Sequence, residues 1–492
     1  MSGANASPIG RSHQEMSGAN ASPIGRSHQG MSNVTEEAIL LQMPSDPARP
    51  NTGAKPGRLL FGLLLLFVIF LYAIPAQMYP ALAAFHPAQI IAVSALVLLV
   101  IEKATLHQSF VLIWPEGYML LAFVGAAALS TFSAFWPLRA YEAAVDLLRI
   151  LLAYLLIVNT VVSEKRLRAV VRAMIVGGLF PAIGTLNGYL HGNLIEGRAH
   201  WIGIFENSNE LAYILVMLVP LAAVLSGQSR FFLRVLLWAA MALYVAAIYL
   251  TFSRGALIGL VGVLILLAVR QRGVILKLAM GTLLLAGLAF TAANWTRSDG
   301  TANQGYTFEQ RIATIKAGWA MFSAHPLLGV GIDCAIVAFP LYAPDAFKAK
   351  GQLVIHNTIV QALSETGILG FVPFASLIVC GLYHARHIGG QHERSECKPD
   401  RAQPSRHERS ECKPDRAQPS RHERSECKPD RAQPSKNGLS PSGRRMAIGL
   451  EVSLSGAMIC GLSGGFLLSW FPYLVVGLIA STRQIAGAVS SE

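Results

Sequence analysis

Long uninterrupted runs of apolar residues recur along this chain and restrict it to a membrane-embedded fold. Two examples are residues 59–73 and 278–293, and a helix needs roughly twenty residues to cross the hydrocarbon core of a bilayer. Of the 492 residues, 53% are hydrophobic and 14% are charged, which is outside the balance of a soluble domain. A membrane β-barrel would show short alternating segments instead. The sequence therefore predicts an all-α integral membrane protein.

The positions of the apolar runs predict about twelve transmembrane helices. They fall at residues 59–75, 87–101, 117–134, 143–162, 168–190, 210–226, 233–252, 255–269, 274–293, 357–385, 446–465 and 467–483. A polar stretch at 294–355, between the ninth and tenth spans, is too long to be a simple connector. It contains an apolar stripe at three- and four-residue spacing, which predicts an amphipathic helix lying over the bundle or on the membrane surface. The stripe consists of Phe308, Ile312, Ile315, Trp319 and Phe322.

Composition along the chain divides it into six segments. They are a polar N-terminus (1–58), nine spans (59–293), a large outward loop (294–355), the tenth span (356–385), a polar insertion (386–445), and the last two spans with the C-terminus (446–492). The N-terminus contains the leader MSGANASPIGRSHQ twice, and we expect it to be disordered. The insertion repeats the unit HERSECKPDRAQPSR. One cysteine per unit lacks the paired spacing of a zinc site, so the insertion is predicted to be a flexible cytoplasmic loop.

Lysine and arginine residues favour alternate loops, which predicts the orientation in the membrane. With a cytoplasmic N-terminus, most of them fall in cytoplasmic loops, and the opposite short loops hold only Arg139, Arg198 and Arg254. Both termini are therefore expected in the cytoplasm, with the loop 294–355 facing outward. The formal net charge is +12, and the lysine and arginine residues that carry it lie between the spans. They are not interleaved with aromatic residues on one soluble face. No nucleic-acid partner is predicted.

Two arginines on the outward side are candidates for binding an anionic group. Arg198 precedes a span whose start carries Asn207 and Asn209, and Arg254 occupies a tight turn between two spans. Asn207 and Asn209 are possible substrate contacts beside Arg198. Alternatively, Arg198 anchors lipid headgroups, and Asn207 or Asn209 caps the helix. Two guanidinium groups that face one cavity suit a diphosphate, because each can donate paired hydrogen bonds to phosphate oxygens.

The stretch HNTIVQALSETGILG places His356 at the start of the tenth span. A histidine there can serve as a cap or an interface residue. Neighbouring cations would disfavour its protonation, so it also suits a general base. Glu365 lies about 13 Å further along the same helix. We expect Glu365 to position the helix and not to take part in the reaction.

Charged residues inside or beside the fourth span form a second group. Glu142, Asp146 and Arg149 share one helix face, and mutual pairing is favoured over a ligand role because unpaired charge in a membrane is costly. Arg139 and Tyr141, before this span, could contact a substrate headgroup. The chain has no Asp-x-Asp motif, Walker A loop or Gly-x-Ser-x-Gly elbow, so neither a metal nor a cofactor is predicted. A glycosyl donor on the outward side would have to be lipid-linked.

Three motifs, TFSRGALIGL, HPLLGVGIDCA and HNTIVQALSETGILGF, together resemble the O-antigen ligase and polymerase superfamily of bacterial envelope glycosyltransferases. The resemblance extends over approximately residues 59–483. It implies a GT-C-like helical fold in the bacterial inner membrane, a large periplasmic loop, and an active site that faces the periplasm. Membrane lipid is an expected partner.

The resemblance further implies a ligase that transfers a glycan from undecaprenyl diphosphate to the lipid A core. His356 matches the family's general base, Arg198 and Arg254 match its essential arginines, and Arg311 is a candidate for a further basic contact. The implied reaction inverts the anomeric configuration and needs no metal. Alternatives within the superfamily are an O-antigen polymerase and a protein-glycan ligase. A secondary transporter, from another class, would show two related halves with interrupted helices, and no such symmetry is visible.

Overall fold

The computed structural model of the chain describes residues 56–270, 303–396 and 439–490. These ranges are predominantly helical, as the apolar runs predict. In chain order the helices are α1 Arg58–Ala73, α2 Pro75–Met78, α3 Pro80–Ala83, α4 Pro87–Thr105, α5 Glu116–Ser130, α6 Pro137–Thr160, α7 Glu164–Leu190, α8 Ser208–Ser226, α9 Phe231–Leu250, α10 Arg254–Arg270, α11 Asn303–Ala324, α12 Ala335–Tyr342, α13 Asp345–Lys348, α14 Thr358–Glu396, α15 Pro441–Gly461 and α16 Trp470–Ser490. A short antiparallel hairpin, β1 Leu194–Ile195 with β2 Arg198–Ala199, lies between α7 and α8.

Seven of the described helices are long and apolar enough to cross a membrane. They correspond to the spans predicted at 87–101, 117–134, 143–162, 168–190, 210–226, 233–252 and 357–385. Helix α1 is apolar but only 16 residues long. Helices α10, α15 and α16 cover three further predicted spans without being among the seven, and the span predicted at 274–293 lies outside the described residues. The all-α membrane fold is therefore supported, and the total of twelve spans stays a prediction.

Helix α8 lies at the centre of the bundle. Its sequence SNELAYILVMLVPLAAVLS is apolar on every face beyond the first turn, which is typical of a helix surrounded by others. Leu211 and Leu215 are fully buried, and α7, α9, α10 and α15 pack around it. The helix begins where the side chain of Asn207 accepts a hydrogen bond from the backbone N–H of Asn209, at 3.0 Å. Its N-terminal end is thereby fixed close to the ends of several neighbouring helices.

Helix α14 is broken at Gly367, whose φ of 57° and ψ of −163° are accessible essentially to glycine alone. The loop that follows α11 fills the break and replaces the missing helical hydrogen bonds. The backbone N–H of Ile368 donates to the carbonyl of Pro326 at 2.8 Å, and the N–H of Val330 donates to the carbonyl of Ser364 at 2.8 Å. The continuous span predicted at 357–385 is therefore two helical segments, joined by hydrogen bonds to the loop that contains Pro326 and Val330.

Helix α11 confirms the helix predicted in the outward loop, although it packs through a different face. The predicted apolar stripe is largely exposed, with Phe308 at 66% and Trp319 at 56% exposure. The buried face carries small residues: a Cβ on Gly318 would lie only 2.6 Å from Val360 and 2.9 Å from Ile355. Small residues allow α11 to approach the first turn of α14 closely, whereas the bulky stripe would hold the two helices apart.

Candidate active site

His356 is presented at the N-terminal end of α14 by a well-formed helix cap. The side-chain oxygen of Asn357 accepts hydrogen bonds from the backbone N–H groups of Ile359 and Val360, both at 3.0 Å. Such a cap fixes the direction in which the chain enters the helix. Ile355, on the other side of His356, is buried. The imidazole is therefore attached to backbone that is held firmly on both sides.

The environment of His356 keeps its imidazole neutral. Burial lowers the pKa of His356 to about 4, and the positive charges of Arg311 and Arg198 add to this effect. Within residues 56–270, 303–396 and 439–490, no group hydrogen-bonds the His356 ring. A neutral imidazole without a hydrogen-bond partner from these parts of the chain can accept a proton from a substrate hydroxyl.

Arg198, on β2, is oriented by two hydrogen bonds to neighbouring helices. Its Nε donates to the backbone carbonyl of Thr251 at 2.8 Å, and its Nη2 donates to the side-chain oxygen of Asn209 at 2.6 Å. The same Asn209 oxygen accepts a hydrogen bond from the Ser253 hydroxyl at 2.8 Å. Asn209 therefore connects Arg198 to the turn that precedes Arg254. The alternative of a simple cap applies to Asn207, which caps α8 and also donates to Glu210 at 3.1 Å.

Arg254 is the first residue of α10 and follows a strained turn. Phe252, in this turn, has a φ of 49°, in the left-handed region that costs a non-glycine residue about 1–2 kcal/mol. Its neighbours Thr251 and Ser253 are buried and hydrogen-bonded to Arg198 and Asn209 respectively. A conformation of this kind persists where the surroundings hold it, and such strain is concentrated at functional sites.

Arg311 reaches the site because of the way α11 packs. It precedes Gly318 by seven residues, or two helical turns, so both residues lie on one face of α11. Gly318 contacts the first turn of α14. Arg311 is the cation with the largest effect on the pKa of His356. The structure therefore brings together His356, Arg198 and Arg311, and connects Arg254 to them through Asn209.

Arg139 and Tyr141 lie in a different place. The Nη2 of Arg139 pairs with the carboxylate of Asp333 at 2.8 Å, and its Nε donates to the Asp333 backbone carbonyl at 2.8 Å. Burial raises the pKa of Asp333, while the charge of Arg139 opposes that rise. The Tyr141 side chain is exposed. No described contact joins Arg139 or Tyr141 to the His356 cluster, so their role as substrate contacts stays a prediction.

The charged residues that were predicted to be structural differ in their partners. Asp146 and Arg149 form an ion pair one turn apart on α6, while Glu142 is exposed and has no ion pair within the described parts of the chain. Glu365 is 3% exposed. Its carboxylate accepts hydrogen bonds from the backbone N–H of Asp333 at 3.1 Å and from the side chain of Gln361 at 3.3 Å. Glu365 thereby connects the loop that contains Asp333 to α14 just before the break.

The sequence did not predict that the turn between α15 and α16 contacts the start of α14. The turn between α15 and α16 reaches the start of α14, where the hydroxyl of Thr358 donates to the carbonyl of Gly464 at 2.9 Å. From the sequence this turn is only a connection between the last two spans. Its Ser-Gly-Gly run, Ser463–Gly465, is the one signal that could have indicated a close approach of backbones. Among the described residues, no group of three or more His, Cys, Asp or Glu side chains could hold a metal ion.

Comparison with known proteins identifies the central part of the chain. A family model described as O-antigen ligase matches residues 239–375. The matched region contains Arg254, Arg311 and His356, whereas Arg198 precedes it. A search of curated proteins finds no match to this chain. Residues 239–375 thus match an O-antigen ligase domain, and this match supports an assignment to the O-antigen ligase superfamily, whose members are membrane glycosyltransferase-like enzymes.

Proposed function

We propose that the protein is an O-antigen ligase that transfers a glycan from undecaprenyl diphosphate to the lipid A core. The reaction would take place on the periplasmic face of the bacterial inner membrane and complete lipopolysaccharide. The observation that carries this proposal is the cluster of Arg198 and Arg311 around a neutral His356, at the start of a helix within the O-antigen ligase domain.

The proposed reaction is a single displacement at the anomeric carbon of the donor. His356 removes the proton from an acceptor hydroxyl, whose oxygen attacks the carbon from the side opposite the diphosphate. The new glycosidic bond forms as the bond to the diphosphate oxygen breaks, so the configuration inverts. Negative charge develops on the leaving diphosphate, where Arg198, Arg254 and Arg311 stabilise it. Guanidinium groups supply the charge that a metal ion provides in other glycosyltransferases, so the proposed reaction is metal-independent.

Helix dipoles add to the positive potential at this place. Helix α8 begins beside Asn209, and α10 begins after Ser253; the hydrogen bond between these residues brings the two N-terminal ends together. Helix α14 begins at Thr358, two residues after His356. The N-terminal end of a helix carries about half a positive charge and favours anions. This convergence supports binding of a diphosphate, because its charge would be met by helix ends as well as by arginines.

The fixed orientation of Arg198 favours a catalytic role for this residue over a loose electrostatic contact. Arg198 is held at both Nε and Nη2, so its guanidinium group occupies one orientation before substrate arrives. Donors that are already oriented need no reorganisation as charge develops in the transition state. The distribution of lysine and arginine, which predicts an outward-facing site, supports access for a lipid-linked donor.

The proposal is tested by the lipopolysaccharide of a strain that lacks this protein. Loss of all O-chains, with accumulation of full-length lipid-linked glycan, is the result expected of a missing ligase. Lipid A core that carries a single repeat unit would identify a polymerase instead and overturn the proposed acceptor. Complementation with the wild-type gene should restore the O-chains, whereas complementation with a His356→Ala gene should not.

A further inference from the structure

We infer that the turn Leu462–Phe466 between α15 and α16, here called the C-terminal turn, is a positioning element of the active site that holds the His356 segment against the segment bearing Arg254. This inference rests on the proposed function. It assigns a role to residues that lie outside the matched region 239–375. It also explains why the last helical hairpin packs against the start of α14.

The C-terminal turn binds the two residues that follow His356. The buried hydroxyl of Thr358 donates to the carbonyl of Gly464 at 2.9 Å and accepts from the backbone N–H of Phe466 at 3.0 Å. The side chain of Asn357 donates to the carbonyl of Leu462 at 3.1 Å. Three hydrogen bonds therefore connect the turn to the cap of α14. Any displacement of the turn would move the backbone that carries His356.

The same turn contacts the segment that carries Arg254. The hydroxyl of Tyr213, on α8, lies 3.1 Å from the Ser463 hydroxyl and 3.3 Å from the Ser463 carbonyl. Gly255, the residue after Arg254, packs so closely that a Cβ there would lie 1.8 Å from the Ser463 hydroxyl and 2.9 Å from the Tyr213 hydroxyl. The C-terminal turn is thus a common contact of α8, α10 and α14, the three helices whose N-terminal ends lie at the site.

This contact depends on two consecutive glycines. A Cβ on Gly464 would lie 2.4 Å from the Tyr213 ring, and a Cβ on Gly465 would lie 3.0 Å from the carbonyl of Ile355 and 2.9 Å from the side-chain oxygen of Gln361. Any larger residue would push the turn away from either α8 or α14. The absence of side chains here allows one short turn to touch both sides of the cluster.

We expect the position of the general base to affect the chemical step more strongly than it affects donor binding. A displacement of about 1 Å from the reactive geometry can cost on the order of 100-fold in rate. The arginines proposed to bind the donor diphosphate, in contrast, belong to β2, α10 and α11 and not to the turn. Loosening the turn should therefore lower kcat and leave the KM for the lipid-linked donor nearly unchanged.

The test compares substitutions at two buried threonines of α14. Thr358→Val keeps the side-chain shape and removes the hydroxyl that binds the turn, and Thr358→Ser keeps the hydroxyl. Thr366→Val is the matched control, because among the described residues the Thr366 hydroxyl bonds only within its own helix, to the carbonyl of Ala362 at 2.7 Å. The purified proteins are assayed for glycan transfer in proteoliposomes, and amide hydrogen exchange is measured over residues 355–361.

We expect Thr358→Val to lower kcat at least about tenfold with a donor KM within about twofold of the wild-type value. Thr358→Ser should restore most of the activity, and Thr366→Val should behave as wild type. Faster exchange at residues 355–361 is expected in Thr358→Val alone. Should Thr358→Val fail to fold, Tyr213→Phe removes the bond to Ser463 on the other side of the turn and should lower kcat in the same way.

Wild-type kcat in a folded Thr358→Val protein, or in Tyr213→Phe if that variant replaces it, would overturn the positioning role. An equal loss in Thr366→Val would also overturn it, since the effect would then be a general loss of stability. Failure of the wild-type protein to transfer glycan would instead overturn the proposed function. Hydrogen exchange distinguishes these cases, because it reports whether the turn holds the His356 segment without depending on any reaction.

Discussion

The titration of His356 gives the most specific prediction about the site. A general base must be neutral, so activity falls as the pH drops through the pKa of the base in the folded protein. Burial and the charges of Arg311 and Arg198 lower that pKa from 6.5 to about 4. At pH 5.5 a histidine of pKa 6.5 is only about one-tenth neutral, whereas one of pKa near 4 is about 97% neutral. Wild-type kcat/KM should therefore change little between pH 7 and pH 5.5, instead of falling about eightfold as it would with a pKa of 6.5.

Removing the positive charge of Arg311 should shift the pH dependence of kcat/KM in a predictable direction. Arg311→Gln removes the larger of the two cationic contributions, so the acid limb should move upward, but it should stay below pH 6.5 because burial remains the first cause. Lys316→Gln is the matched control, since Lys316 is an exposed cation on the same helix. The assay is kcat/KM for glycan transfer between pH 4 and 8, with both sides of the proteoliposome at the same pH. A wild-type acid limb near 6.5, or no shift in Arg311→Gln, would refute this account of His356.

Three further predictions concern the groups around His356. Arg198→Ala should lower kcat/KM by about 100- to 1,000-fold, because a preorganised charge contact to the leaving group is lost; Arg230→Ala, at the opposite end of α8 and α9, should leave transfer unchanged. Asn209→Leu removes the acceptor that orients Arg198 and should lower kcat/KM about tenfold, with Asn209→Asp less affected. Glu365→Leu leaves the partly buried N–H of Asp333 without its charged acceptor and should cost about 1–3 kcal/mol of stability, measured by thermal unfolding, whereas Glu365→Gln should cost less.

Each of these predictions has an outcome that contradicts it. Equal losses in Arg198→Ala and Arg230→Ala would mean that the effect is not local to the site. An Asn209→Leu protein with wild-type kinetics would show that Arg198 needs no orienting partner. Unchanged thermal unfolding of Glu365→Leu would remove Glu365 from its role in connecting the Asp333 loop to α14.

Helices were predictable where apolar residues continue for a full span. The residues at which these helices begin and end were harder to predict. Hydropathy placed the fourth span at 143–162, whereas α6 runs from Pro137 to Thr160. The first turns of α6, before residue 143, carry Arg139 and Glu142, which the apolar window excludes although a helix can continue through them. An apolar run indicates which residues lie in the membrane. It does not show where the helix itself begins or ends.

The break in α14 could not be predicted from its own sequence. Gly367 alone is compatible with an ordinary helix at a modest cost. What stabilises the break is the loop at Pro326–Val330, more than thirty residues earlier, which supplies the hydrogen-bond partners. Tertiary contacts of this kind leave no local pattern.

The site itself was partly predictable. Arg198, Arg254 and His356 were identified by motif and by their predicted place on the outward side, and both this location and their catalytic roles stay proposals. The proximity of Arg311 to His356 was not predictable, because the bulky stripe at Phe308 and Trp319 indicates a different packing face, whereas the contact with α14 is made by small residues such as Gly318. Close packing of small side chains has no strong signal in a single sequence.

Reconstituted transfer tests the central claim most directly. Purified protein in liposomes is supplied with an undecaprenyl diphosphate-linked glycan and lipid A core, and the glycosylated lipid A core is quantified for wild type, His356→Ala and His191→Ala. His191 is an exposed histidine whose ring Nδ1 bonds to the Asn187 carbonyl of its own helix at 2.8 Å, so its substitution is the matched control. We expect transfer by wild type and His191→Ala, and a loss of about 100- to 10,000-fold in His356→Ala. Near-normal transfer by a folded His356→Ala protein would contradict the assignment of His356 as the base.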